Sequence, residues 1–155
     1  IKGASVLPKP VQKPFEVWLG GRAPSELRRT GRLADGWLAS FTTPQGAADG
    51  IAVIEEAAAD AGRTMDPEHY GVLIPYVPGD GEGEVPEAIK MLVSSREPDT
   101  DPRDVVATSR TRIVELVHEY VSVGASKFVL FPAAEPEDWT AELESLAQVA
   151  LPLQN

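Results

Sequence analysis

The chain has 155 residues, about the length of one ordinary domain, which excludes most multi-domain organisations. Its 14 Lys+Arg against 24 Asp+Glu give a formal charge of −10, which opposes a general nucleic-acid or anionic-membrane surface and leaves room only for a local anion site. A 43% hydrophobic and 25% charged composition is ordinary for a folded globular protein, and the absence of cysteine removes disulfides, cysteine nucleophiles and zinc–thiolate sites.

No apolar run approaches the roughly 18 residues of a membrane span, and the first residues lack the charged-then-apolar layout of a signal peptide. A cytoplasmic protein with no nucleic-acid or membrane partner is therefore expected. The sequence begins at Ile1 rather than Met, inside a connector over residues 1–14 punctuated by Pro8, Pro10 and Pro14, and reads as the middle of a longer chain. Residues 15–155 are expected to form a single domain.

Phe15 to Leu19 is a short apolar run ended by Gly20-Gly21, which suits a buried strand. Pro24 and Ser25 open a helix with Leu27, Thr30, Leu33 and Ala34 on its apolar stripe and Arg28, Arg29 and Arg32 on a basic face. Asp35-Gly36 ends it. Trp37 to Phe41 is a second strand, and Thr42-Thr43-Pro44 starts a helix whose face carries Ile51, Ile54 and Ala58 and which Gly62 closes. A third strand runs from Tyr70 to Val77, and the glycine- and acid-rich stretch 78–84 after it predicts a mobile loop. Pro86 to Ser95 predicts a helix with Ile89, Leu92 and Val93 on one side. A longer helix over Ser109–Val123 points Ile113, Leu116, Val117, Tyr120 and Val121 inward. Phe128 to Phe131 lies in the fourth strand, and Pro136 to Ala150 forms the last helix, anchored by Trp139, Leu143 and Leu146.

Strands alternating with helices, each strand almost continuously apolar, predict βαβ units and a parallel sheet buried on both faces. An eight-unit barrel of about 250 residues spends about 31 on each unit, so four units need about 125. An open four-stranded parallel sheet would leave two apolar edges. The fold class expected is thus α/β, as half of a (β/α)8 TIM barrel.

The stretch Val17-Trp18-Leu19-Gly20-Gly21-Arg22-Ala23-Pro24-Ser25-Glu26 carries the most chemistry. Glycines at a strand's carboxyl end let a ligand approach the backbone, the following helix start favours an anion, and Arg22 adds a charged fork. Taken alone, Gly-Gly is more often a tight strand-to-helix turn than a phosphate site, since neither GxGxxG nor GxxxxGK(S/T) occurs. His69 reads as a turn residue at the opposite end of the sheet and His118 as the solvent margin of its helix. Trp18, Trp37 and Trp139 read as core, Lys127 as exposed at the lower rim, and Glu55-Glu56 as solvated. No pair of carboxylates forms a catalytic dyad and no metal site is expected; the catalytic residues are unassigned.

Pro10-Val11-Gln12-Lys13-Pro14, Val17-Trp18-Leu19-Gly20-Gly21, Leu33-Ala34-Asp35-Gly36-Trp37 and the late Tyr120-Val121-Ser122-Val123-Gly124-Ala125-Ser126-Lys127-Phe128-Val129 together resemble the luciferase-like monooxygenase superfamily. The likeness is nearest to the branch that uses the deazaflavin coenzyme F420, and it spans essentially the whole chain. It implies units five to eight of the family's barrel and a hydride transfer on a small organic substrate, with FMN as the alternative cofactor. Carried over residue by residue, it puts the cofactor phosphate at Gly20, Gly21, Arg22, Ala23 and Ser25, and the cofactor tail or substrate pocket at Ser40, Phe41 and Thr42. The family's ring contacts and much of its catalytic apparatus lie on units one to four. Because the open sheet would leave apolar edges exposed, a homo-oligomer or a complementing half-barrel is the expected partner, and a non-catalytic binding half is the remaining alternative.

Overall fold

In a computed structural model, which describes residues 3, 5 and 7–154, the elements follow one another as β1 (Trp18–Leu19), α1 (Pro24–Leu33), β2 (Gly36–Ser40), α2 (Pro44–Asp60), β3 (Tyr70–Tyr76), α3 (Glu87–Arg96), α4 (Arg110–Ser122), β4 (Lys127–Pro132) and α5 (Trp139–Ala150). The strands form one sheet in the order β1-β2-β3-β4, every neighbouring pair parallel. This is the predicted half-barrel type of architecture, with one helix, α3, lying in a long excursion between β3 and α4.

The pairing register sorts the side chains. Leu19, Trp37, Ala39, Tyr70, Val72, Ile74, Phe128 and Leu130 point to one face, where Ile51, Ile54, Ile113, Leu116 and Tyr120 from α2 and α4 complete the main core. Trp18, Leu38, Ser40, Leu73 and Val129 point to the other face and stay half-exposed or exposed. The expectation of burial on both faces fails here, because all four barrel-type helices lie on one side.

Local chemistry explains the helix starts. Thr43 accepts the Gly46 N–H at 3.1 Å, Ser109 accepts that of Arg112 at 3.2 Å, and Asp138 accepts those of Thr140 and Ala141 at 2.8 and 3.1 Å. Helix α1 crosses α2 closely because Gly31 has no side chain: a Cβ there would lie 2.2 Å from the Ile54 carbonyl oxygen. Gly50 likewise leaves space for the Trp37 ring.

Several expectations need correction. The first strand shrinks from Phe15–Leu19 to two residues, because the Asp35 carboxylate takes the Val17 N–H at 2.8 Å and Phe15 stays exposed. The last helix begins at Trp139, since Asp138 is its cap. Leu33, Val121, Trp139 and Leu143 are exposed rather than inward, at 68%, 52%, 45% and 54%. On α5 the buried position belongs to Glu142, which pairs with a buried arginine and turns the aromatic face outward. The 78–84 loop is tethered, as described below. His69 sits in a turn with Nδ1 2.9 Å from the Asp35 carbonyl oxygen; His118 and Lys127 are exposed.

Candidate functional site

The carboxyl ends of the four parallel strands converge on one side of the sheet, where the connecting segments gather. At the end of β1, Gly21 holds φ +98°, a left-handed conformation suited to glycine, and a Cβ there would strike the Glu26 carboxylate at 2.6 Å. That conformation aims the N–H groups of Arg22 and Ala23 at one point. Glu26 Oε2 accepts both, each at 3.0 Å. These two backbone bonds hold the Glu26 carboxyl below its ordinary pKa. The turn is therefore an anion-holding nest, already closed by the helix's own third residue.

The guanidinium of Arg22 pairs with Glu97 at 2.5 Å and donates a second bond to the Arg96 carbonyl oxygen, tying the turn to the end of α3. Gly20, Ala23 and Ser25 are exposed. A cleft of about 550 Å³ opens beside them, walled by Arg22, Ala23, Glu26, Thr42, Asp49 and Glu97. Five of the predicted residues thus lie together at one turn, with Arg22, Ala23 and Thr42 on the cleft itself.

Beyond β2, Phe41 is buried with φ +52°, an uncommon conformation for an aromatic residue and one that stores local strain. Its ring meets Phe131 edge-on at 6.3 Å and lies 5.1 Å from the Arg96 guanidinium carbon. Thr42 is buried, and its carbonyl oxygen accepts the Tyr120 hydroxyl at 2.5 Å. Burial pushes the Tyr120 phenol well above its usual pKa. Ser40 faces the uncovered side of the sheet, half-buried.

A second polar corner stands at the end of β3. Arg110, the first residue of α4, is buried with Glu142 of α5, their side chains 10% and 6% exposed and 2.6 Å apart. The loop after β3 closes over this pair: the Gly79 N–H donates to Glu142 at 3.0 Å, Asp80 approaches Arg110 at 3.7 Å and bonds Ser145, and the Thr108 hydroxyl donates to Glu82 at 2.5 Å. Glu97, Arg110 and Glu142 do not stand out in the sequence, and Glu26 closes the Val17–Glu26 stretch without a role assigned to it. Glu26 had a local signal, its place three residues after the helix cap, but Ala23 lacks the hydroxyl that completes the usual pattern. The other contacts join residues 32 to 75 positions apart and have none.

Among the described residues no cluster of three His, Cys, Asp or Glu side chains is placed to hold a metal, and no helix is long and apolar enough to cross a membrane. Residues 1–115 match the family described as luciferase-like monooxygenase. The chain belongs to the luciferase-like monooxygenase family. Among solved structures, this family member is similar to an F420-dependent secondary alcohol dehydrogenase in complex with an F420–acetone adduct, at 15% identity and TM-score 0.70, over 98% of this chain and 52% of that one. It is also similar to the coenzyme F420-dependent tetrahydromethanopterin reductase of Methanopyrus kandleri, at 15% identity and TM-score 0.64, over 90% and 51%. The FMN complex of the oxygenating constituent of 3,6-diketocamphane monooxygenase from Pseudomonas putida matches at 16% identity and TM-score 0.61, over 88% and 48%. The luciferase-like chain thus spans about half the length of the solved structures it matches, and at these identities the likeness concerns the fold.

Proposed function

We propose that this chain is the half of a luciferase-like oxidoreductase barrel, units five to eight, that holds the phosphate-bearing tail of F420, with FMN as the alternative. The observation that carries this reading is the convergence of the Arg22 and Ala23 N–H groups on one anionic oxygen beside an open cleft. A carboxylate oxygen now stands where a phosphate oxygen would, so the donor set fits the group once Glu26 swings aside. Gly20, Gly21, Arg22, Ala23 and Ser25 would hold the tail, and Ser40, Phe41 and Thr42 would border it or a small organic substrate. The cofactor, when bound, supplies hydride exchange at its ring; this chain's residues bind, orient and exclude water. F420 is preferred because two of the similar structures are described as F420-dependent.

Titration of the chain with F420 and with FMN, followed by absorbance and fluorescence, tests this. Saturable binding of one cofactor, tightened roughly tenfold by Glu26→Ala and weakened roughly tenfold by Arg22→Gln, is expected, because one gain or loss of a charge-assisted contact is of that order. Failure of both cofactors and of inorganic phosphate to bind the wild type and the Glu26→Ala variant would overturn it.

A further inference from the structure

The Arg22 side chain leaves the β1 turn and reaches the end of α3, 74 residues further along the chain. Its Nη2 donates to the Arg96 carbonyl oxygen, one of the acceptors that a helix leaves unpaired in its last turn. Its Nη1 lies 2.5 Å from Glu97 Oε1, yet that nitrogen is shut off from water and makes no hydrogen bond of normal geometry among the described residues. Charge alone holds it there, and such a donor gains when a better-placed anionic acceptor arrives. The two side chains are 32% and 42% exposed, so parting them costs little.

Glu97 also lines the cleft beside the nest, with Arg22, Ala23 and Glu26. Two internal carboxylates therefore sit on the donors that a phosphate needs: Glu26 on the Arg22 and Ala23 N–H groups, and Glu97 on the Arg22 guanidinium. Helix α3 itself is anchored unevenly. Val93 is fully buried in the apolar cluster beside Phe41, and Ile89 and Leu92 pack against that cluster. Beyond Val93 the residues Ser94, Ser95 and Arg96 are exposed. That last turn is held from outside the helix by Arg22 and by the Arg96 guanidinium, whose carbon stands 5.1 Å over the Phe41 ring.

We propose that Glu97 is a built-in counter-ion that competes with the ligand's phosphate for Arg22, so that phosphate binding at the β1 turn frees the last turn of α3. This competition rests on the function proposed above and adds the regulation of the same site. One guanidinium fork cannot face both anions at once. When Arg22 turns to the phosphate, the Arg96 carbonyl oxygen loses its donor and Glu97 returns to water, with Val93 as the pivot. The same movement draws Arg96 off Phe41, so occupancy of the tail site is passed to a residue that would border the substrate. Linkage makes the effect reciprocal: a contact that holds α3 down weakens phosphate binding, and its removal strengthens it.

Hydrogen exchange over residues 94–100, followed by mass spectrometry with inorganic phosphate as the probe, tests this. The Glu97 and Thr100 amides report on the segment, since they donate to the Val93 and Glu97 carbonyl oxygens. Without ligand, Arg22→Gln is expected to speed their exchange roughly fivefold, the upper range for an exposed ion pair, and to leave α2 and α4 unchanged. Saturating phosphate should speed the same amides in the wild type, and chloride at equal ionic strength should not, which separates competition from screening. Glu97→Gln should bind phosphate roughly threefold more tightly than the wild type, its competitor being gone. Wild-type exchange rates in Arg22→Gln, phosphate binding that leaves this segment unchanged, or wild-type affinity in Glu97→Gln overturns the competition and leaves the function standing. Absence of phosphate binding by wild type, Glu26→Ala and Glu97→Gln alike overturns both.

Discussion

Two arginines at the carboxyl end of the sheet illustrate how one chemistry serves two purposes. Arg110 is almost wholly withdrawn from water and faces a carboxylate equally withdrawn; Arg22 sits in a third-exposed position against Glu97, itself more exposed. Both are neutralised by a carboxylate from a distant segment. The buried pair fixes geometry, since neither partner tolerates the loss of the other, whereas the exposed pair exchanges its counter-ion at little cost. The corner at β3 is therefore framework, and the corner at β1 is the one that the proposed function gives to a ligand.

The sharpest way to break this contrast is at Glu142. Glu142→Gln leaves the Arg110 charge buried without its partner, and a loss of about 3–5 kcal/mol is expected in urea unfolding. The double substitution Arg110→Met with Glu142→Leu should regain most of it, because an apolar pair of similar volume removes both desolvation penalties. A single variant as stable as wild type would place Arg110 in the same class as Arg22.

Next in size is Gly31→Ala, which tests whether the β1 corner also rests on a rigid base. The added methyl meets the Ile54 carbonyl oxygen and must push α1 from α2, so a cost of about 1–3 kcal/mol is expected by thermal unfolding. The same strain should tilt the start of α1 and loosen the Arg22–Ala23 nest.

Tyr120 couples the framework to the site, since it leaves α4 and donates to the Thr42 carbonyl oxygen. Tyr120→Phe is expected to cost about 1 kcal/mol. The phenols of Tyr70, Tyr76 and Tyr120 are all raised, chiefly by burial. A raised native pKa gives stability that is whole below the unfolded-state value of 10.0 and is lost as the pH climbs past it. A denaturation series should thus fall off above about pH 10 in the wild type and less steeply in Tyr120→Phe.

How much of this was legible in the sequence follows the range of the interactions. Trp37, Ile54, Ile113 and Leu116 announced a core through periodicity, and Thr43 and Ser109 announced helix starts, because those signals act within a few residues. The Gly20-Gly21 turn was visible for the same reason. The exposed Leu33, Trp139 and Leu143 defied their periodicity: a stripe shows that a face is apolar, and what covers that face is decided elsewhere. Arg110 with Glu142, and Arg22 with Glu97, are pairs made by tertiary contact, and nothing in either neighbourhood selects them.

The smallest effect on stability tests the receptive corner itself. Arg22→Gln removes a bridge exposed enough that its loss should change unfolding by no more than about 1 kcal/mol, against several for the buried pair. Its companion test is acid. Two backbone N–H groups stabilise the charged form of Glu26, so its pKa lies below the usual 4.5, and the stability this gives is present above that value and lost as the pH falls through the lowered one. Protonation then releases the Arg22 and Ala23 N–H groups that the carboxylate occupied. Phosphate affinity measured by calorimetry should therefore rise relative to Glu26→Ala as the pH drops through that window, the wild type converging on a variant that has no carboxylate to displace. A constant ratio between the two would mean that Glu26 does not compete for the nest.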